Sequence, residues 1–195
     1  MKAHYKKHIL EFKTPSGTSR GILKTKEAWF IVLENNGEFG VGECGMLRGL
    51  SIDDRPDFEQ TLQWVCANIH LGEQHLYDAL TEFPSIQMGL EIAFKSLAAP
   101  DPFQIYPSAF TKGEASIAIN GLIWMGAIAD MSQQIEQRLN DGFNCIKLKI
   151  GALDFDAEWA LIKGLRKRFS ASEITIRVDA NGAYTDDQPL EKLKR

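Results

Sequence analysis

Lys147 and Lys149 alternate with apolar residues in Cys145-Ile-Lys-Leu-Lys-Ile-Gly151, and about thirty residues later Arg177-Val-Asp-Ala-Asn181 closes a second apolar run. Strand side chains alternate faces, so the two ammonium groups share one face, roughly 6.6 Å apart at a rise of ~3.3 Å per residue. Ile146, Leu148 and Ile150 take the other face. Where helices cover both faces of a sheet, a buried ammonium is costly unless a site uses it. A neighbouring like charge favours the neutral amine, the form in which a lysine can accept a proton. The chemistry of this chain is expected at this pair. Taken alone, the lysines also suit a solvated face of an edge strand. Asp179-Ala-Asn181 also suits a helix cap, where Asp and Asn are favoured.

The elements around the pair fall into two regimes. In the first, residues 9–13 read as a short strand, and Thr14-Pro-Ser-Gly-Thr-Ser-Arg-Gly21 as a polar, flexible stretch. Residues 28–33 and 38–43 flank Asn35-Asn36-Gly37, a strong hairpin signal because Asn and Gly tolerate positive φ. Ser51-Ile-Asp-Asp54 reads as a helix start, and helical patterning follows over 58–70 and 85–97. Pro100, Pro102 and Pro107 mark the change of regime. Beyond it, strands at 116–123, 145–150 and 174–178 alternate with helices at 125–139, 154–169 and from 185, which predicts parallel βα units. The expected domains are residues 1–112, α+β, and 113–195, βα.

Composition excludes several partners. The 195 residues are 44% hydrophobic and 25% charged, an ordinary globular mixture with material for a sizeable core. A net charge of −4 gives no basic footprint for nucleic acid or an anionic membrane. No apolar run approaches membrane-spanning length, and the first residues lack an apolar signal core, so a cytoplasmic protein is expected. Cys44, Cys66 and Cys145 lack metal-type spacing and read as buried thiols of a reducing compartment. His4, His8, His70 and His75 read as structural, Trp124 and Trp159 as packing residues, and Glu43 as a structural hydrogen-bonding group. A homo-oligomer stays open.

Together, Lys147-Leu-Lys149 and Val178-Asp-Ala-Asn181, at this spacing and after an α+β region of this length, resemble the enolase superfamily in its muconate-cycloisomerase-like branch. Within that branch three stretches are most similar to the o-succinylbenzoate synthase family: Gly42-Glu-Cys-Gly-Met-Leu-Arg-Gly-Leu-Ser51, Phe83-Pro-Ser-Ile-Gln-Met-Gly-Leu-Glu91 and Ile119-Asn-Gly-Leu-Ile-Trp-Met125. The resemblance implies an α+β capping domain followed by the first part of a (β/α)8 TIM-type barrel, with about three βα units present.

It also implies the chemistry: removal of a proton α to a carboxylate, with a divalent cation holding the enediolate. Lys149 would be the base, Lys147 would tune it and meet the substrate carboxylate, and Asp179 would ligate Mg²⁺ through oxygen. The substrate would be a small-molecule carboxylate, dehydrated to an aromatic product in menaquinone biosynthesis. Asn181 and the loops 14–21 and 45–50 would lie over the substrate, which puts Arg20, Met46, Leu47, Arg48 and Leu50 among the candidate substrate-binding residues. The family's remaining metal carboxylates and its opposite-face lysine belong to later strands. The 195 residues alone are therefore expected to be a truncated, inactive form. A dipeptide epimerase or N-acylamino acid racemase of the same superfamily is the alternative enzyme, and a non-catalytic open-sheet binding module the alternative of another class.

Overall fold

Asn36 and Gly37 take φ of 53° and 88°, the pair of left-handed residues that a type I′ hairpin turn requires. They join β2 (Gly21–Asn35) to β3 (Glu38–Cys44), antiparallel in a register running from Asn35 opposite Glu38 to Trp29 opposite Cys44. β1 (Lys2–Thr18) lies on the far side of β2, giving the order β1-β2-β3. The computed structural model describes residues 1–18, 21–185 and 188–194. The stretch expected to be a flexible loop from Thr14 is strand as far as Thr18. Pro15 does not break it because β1 is an edge strand, where a missing N–H costs no ladder bond.

The chain divides into two compact units, one of Met1–Ser16 with Leu23–Ser116 and one built on Ile117–Arg195. In the first, Trp29, Ile31 and Leu33 alternate inward from β2 and are buried. They pack in one core with Phe58, Leu62 and Val65 of α1 (Phe58–Ala67) and with Ile86, Leu90 and Ala93 of α3 (Pro84–Ala98). Both helices therefore bury positions i, i+4 and i+7. α3 lies tightly on β3: a Cβ on Gly42 would overlap the carbonyl of Gly89, and one on Gly89 would overlap the Cys44 thiol. The helix expected over 58–70 ends at Ala67 and gives way to a 3-10 turn at Ile69–Leu71. The short α2 (Glu73–Ala79) was not legible in the pattern.

No helix starts at Ser51-Ile-Asp-Asp54. The Ser51 hydroxyl accepts the N–H of Leu47 (2.9 Å). Asp53, fully buried, accepts the N–H (2.7 Å) and hydroxyl (3.1 Å) of Ser85. The segment thus closes a loop and satisfies the first turn of α3 from a distance.

The second unit holds β4 (Gly121–Ile123), α4 (Ile128–Asn140), β5 (Cys145–Lys149), α5 (Phe155–Arg168), β6 (Thr175–Asp179) and α6 (Gln188–Leu193). Its three strands pair in parallel in the order β4-β5-β6. β4 is shorter than expected because it pairs only over Ile146–Leu148 of β5, and Ile117 and Ile119 are exposed. The core collects Ile123, Met131, Ile135, Ile146, Leu148, Ile150, Leu165 and Ile174. Trp124, read as a packing residue, is 44% exposed. Of the three free thiols only Cys44 is fully buried; burial pushes its pKa far up and that of the half-buried Cys66 up to about 11. Among the described residues no helix is long and apolar enough to cross a membrane.

Candidate active site

β5 is the central strand of the parallel sheet, and its alternation separates two environments. Ile146 and Leu148 are fully buried, while Lys147 and Lys149 stand on the opposite face. Register places Lys149 beside Asp179 and Lys147 beside Arg177 on β6. Lys149 and Asp179 each end their strand, so the charges meet at the carboxyl edge, where ligands bind in parallel α/β folds.

The two ammonium groups converge on one oxygen. Lys147 Nζ and Lys149 Nζ each lie 2.8 Å from Asp179 Oδ2. Lys149 also donates to Asn181 Oδ1 at 2.8 Å. Asn181 has φ of 47°, a left-handed conformation that Asn tolerates. From there its N–H donates to Asp179 Oδ1 at 3.0 Å. The Ile150 N–H donates to the Asp179 carbonyl at 3.0 Å, tying the ends of β5 and β6 together. Lys149 is the most shielded of the three, at 16% side-chain exposure against 31% for Lys147 and 29% for Asp179. Hydrogen bonds from Lys147, then Lys149, then the Asn181 N–H hold the Asp179 carboxyl well below the usual carboxylate range. It is an anion at neutral pH.

An open cavity of about 710 Å³ lies against this cluster, lined by Asn120, Lys147, Arg177, Asp179 and Asn181. Asp179 is a hard oxygen donor of the kind Mg²⁺ takes. Both its oxygens already accept hydrogen bonds, and among the described residues no group of three His, Cys, Asp or Glu side chains could hold a metal ion. The residues present therefore fit one corner of a divalent shell and not a whole one.

The structure brings together Lys147, Lys149, Asp179 and Asn181. Met46, Leu47, Arg48 and Leu50 belong to the first unit. Arg48 donates from Nε (2.9 Å) and Nη2 (2.7 Å) to Glu27 and from Nη1 (2.7 Å) to Asp54, and its guanidinium lies 5.4 Å from the centre of the Trp29 ring. Met46, expected to be an exposed loop residue, is 1% exposed and part of the core. Bonds from the Leu50 and Ser51 N–H groups to the Leu47 carbonyl fold the loop back and turn Met46 inward. Leu47 and Leu50 are half-buried. Arg20 lies outside the described residues. Glu43 pairs with Lys26 at 2.9 Å.

Two residues at the cavity carried no role in the sequence reading. Arg177 shares the face of Asp179, a position that β6 alternation gives directly. Asn120 falls inside the strand expected over 116–123 and in the structure immediately precedes β4.

Residues 130–195 match the family model described as enolase C-terminal domain-like. The proteins this chain is similar to lie in the enolase superfamily. Over its whole length it is 37% identical, across 226 aligned residues, to o-succinylbenzoate synthase from Desulfotalea psychrophila, and it spans 61% of that protein. The crystal structure of MenC from the same organism superposes with a TM-score of 0.74 at 31% identity, over 100% of this chain and 61% of that one. Dipeptide epimerase from Enterococcus faecalis, solved with Mg and the dipeptide L-Leu-L-Tyr, gives a TM-score of 0.75 at 17% identity, over 99% of this chain and 56% of that one. That last likeness is one of fold.

Proposed function

We propose that this chain supplies the capping domain and the first part of a (β/α)8 barrel to an o-succinylbenzoate synthase-like, Mg²⁺-dependent lyase of menaquinone biosynthesis. The convergence of Lys147 and Lys149 on Asp179 at the carboxyl edge of parallel strands carries this reading, and the 37% identity to an o-succinylbenzoate synthase directs it to that substrate. The chain spans 61% of that relative, and the 195 residues alone are proposed to be inactive.

Lys149, in its neutral form, takes the proton α to the carboxylate of a cyclohexadiene substrate. Lys147 stays protonated and donates to that carboxylate as it gains charge. Loss of the ring hydroxyl, which leaves as water with the proton held on Lys149, gives the aromatic ring and restores the neutral amine. One base is enough, since removal and return occur within its reach. A divalent cation, with Asp179 as one ligand, would supply Lewis-acid stabilisation of the enediolate. Asn181 holds Lys149 in place between turnovers. All three guanidinium nitrogens of Arg48 are engaged, which supports a structural role for it over substrate binding.

The test is turnover of the succinyl-bearing cyclohexadiene carboxylate by the natural-length protein with Mg²⁺, read as growth of the aromatic ultraviolet band. An active natural-length form and an inactive 195-residue form are expected. Turnover by the short form would overturn its proposed inactivity. The alternative epimerase reading would instead show solvent deuterium entering the α carbon of a dipeptide with no aromatic product.

A further inference from the structure

Glu158 is a buried carboxylate that the proposed reaction does not use. It sits in the first turn of α5 at 2% exposure. A carboxylate that far from water must have its oxygens satisfied. Here both accept the Gly151 N–H at 2.9 Å, and Oε1 accepts the Leu153 N–H at 3.2 Å. These bonds are not needed to start the helix, because Asp154 caps it by accepting the Ala157 N–H at 3.1 Å. Glu158 is spent wholly on the loop that follows β5.

That loop begins two residues after Lys149, and it has little room to move. The Ile150 N–H is held by the Asp179 carbonyl (3.0 Å) and the Gly151 N–H by Glu158. Gly151 has φ of +93°, and a Cβ there would come 2.6 Å from the Ala183 Cβ. The backbone leaving Lys149 is thus fixed on three sides: by the carbonyl of the residue whose carboxylate it meets, by the loop beyond β6, and by Glu158. Of these only Glu158 is a charged side chain, and it reaches in from a helix.

We infer that Glu158 is a positioning residue for Lys149: it fixes the end of β5 and through it the place from which the Lys149 amine reaches the substrate. The inference rests on the proposed role of Lys149 as base. Misplacement of a reacting group by about 1 Å can cost about 10²-fold in rate, and a long side chain magnifies a small rotation at its Cα.

The test compares Glu158→Gln and Glu158→Asp with Leu165→Ala in the natural-length protein, well below the melting temperature of each. Leu165 is a buried core residue of the same helix, so its truncation destabilises without touching the loop. Glu158→Gln is expected to lower kcat by about 10²-fold with KM within about twofold. Glu158→Asp, which keeps the charge, should fall between it and the parent, and Leu165→Ala should keep the parent kcat. The Lys149 side-chain nitrogen resonance, read by ¹⁵N NMR, should move in Glu158→Gln and stay in Leu165→Ala. A kcat for Glu158→Gln equal to that of Leu165→Ala, or an unmoved Lys149 resonance, would overturn the inference. Absence of turnover in the parent protein would instead defeat the proposed function, and the resonance would then decide the positioning role alone.

Discussion

Each unit carries a cluster of charged side chains beside its sheet, and these two clusters are balanced differently. In the antiparallel unit, Lys7 and Arg48 meet Glu27 and Asp54 through contacts of 2.7–2.9 Å. Two cations face two anions, and every guanidinium nitrogen of Arg48 has a carboxylate. In the parallel unit, Lys147 and Lys149 share a single oxygen of Asp179, and Arg177 lines the same cavity as Lys147. A matched cluster has nothing left to offer a ligand. One with more cation than anion can attract an anionic ligand.

The strongest test of this contrast is Lys149→Ala. It leaves Lys147 and Asp179 as a matched pair, so the melting transition of the natural-length protein should stay near that of the parent. Turnover should fall by about 10³-fold, the order of a general base. Substantial residual activity would remove Lys149 from the role of base. Asp179→Asn works the other way, because it strips the two ammonium groups of the carboxylate they share. Mg²⁺ should then no longer stabilise the protein, whereas the parent should gain about 2.7 kcal/mol at a hundredfold excess over Kd. An unchanged Mg²⁺-dependent rise in melting temperature would reduce Asp179 to a strand-end clasp for the lysines.

The placement of the two lysines was legible because a strand has period two. Lys147 and Lys149 on one face, Ile146 and Leu148 on the other, and Asp179 at the end of the next strand all follow from alternation and βα order. The turn at Asn36-Gly37 was legible because few residues tolerate positive φ. What escaped reading depends on contacts far apart in the chain or on elements too short to show a period. Asp53 looks like the start of a helix, yet it satisfies Ser85, thirty-two residues on. Glu158 cannot be told from a solvated glutamate by its place on a helix. Met46 reads as exposed until the bonds to the Leu47 carbonyl turn the loop inward. Arg48 reads as a free cation because neither Glu27 nor Asp54 is marked in the sequence as its partner.

Arg48→Met should therefore act on stability alone. The exposed ion pairs and the contact with Trp29 together contribute about 1 kcal/mol, to be read as a lower urea midpoint, with kcat and KM unchanged. A raised KM would return Arg48 to the substrate.

The smallest effect expected is a difference in acid sensitivity. Glu27 is held below its ordinary pKa, chiefly by Lys7 and also by Arg48, and Asp54 by the Gly49 N–H and then Arg48. A carboxyl whose folded pKa is depressed contributes stability that is fully present above its unfolded value, near 4, and lost as pH falls through the folded one. Urea midpoints of the parent should thus hold from about pH 5 to 8 and fall below about pH 4. Arg48→Met should lose less on acidification, because part of what acid removes is already gone. Parallel midpoint curves for the two proteins would mean that Lys7 and the Gly49 N–H keep Glu27 and Asp54 ionised without Arg48. The match between cations and anions would then owe nothing to the guanidinium, and the contrast between the two clusters would rest on the lysines alone.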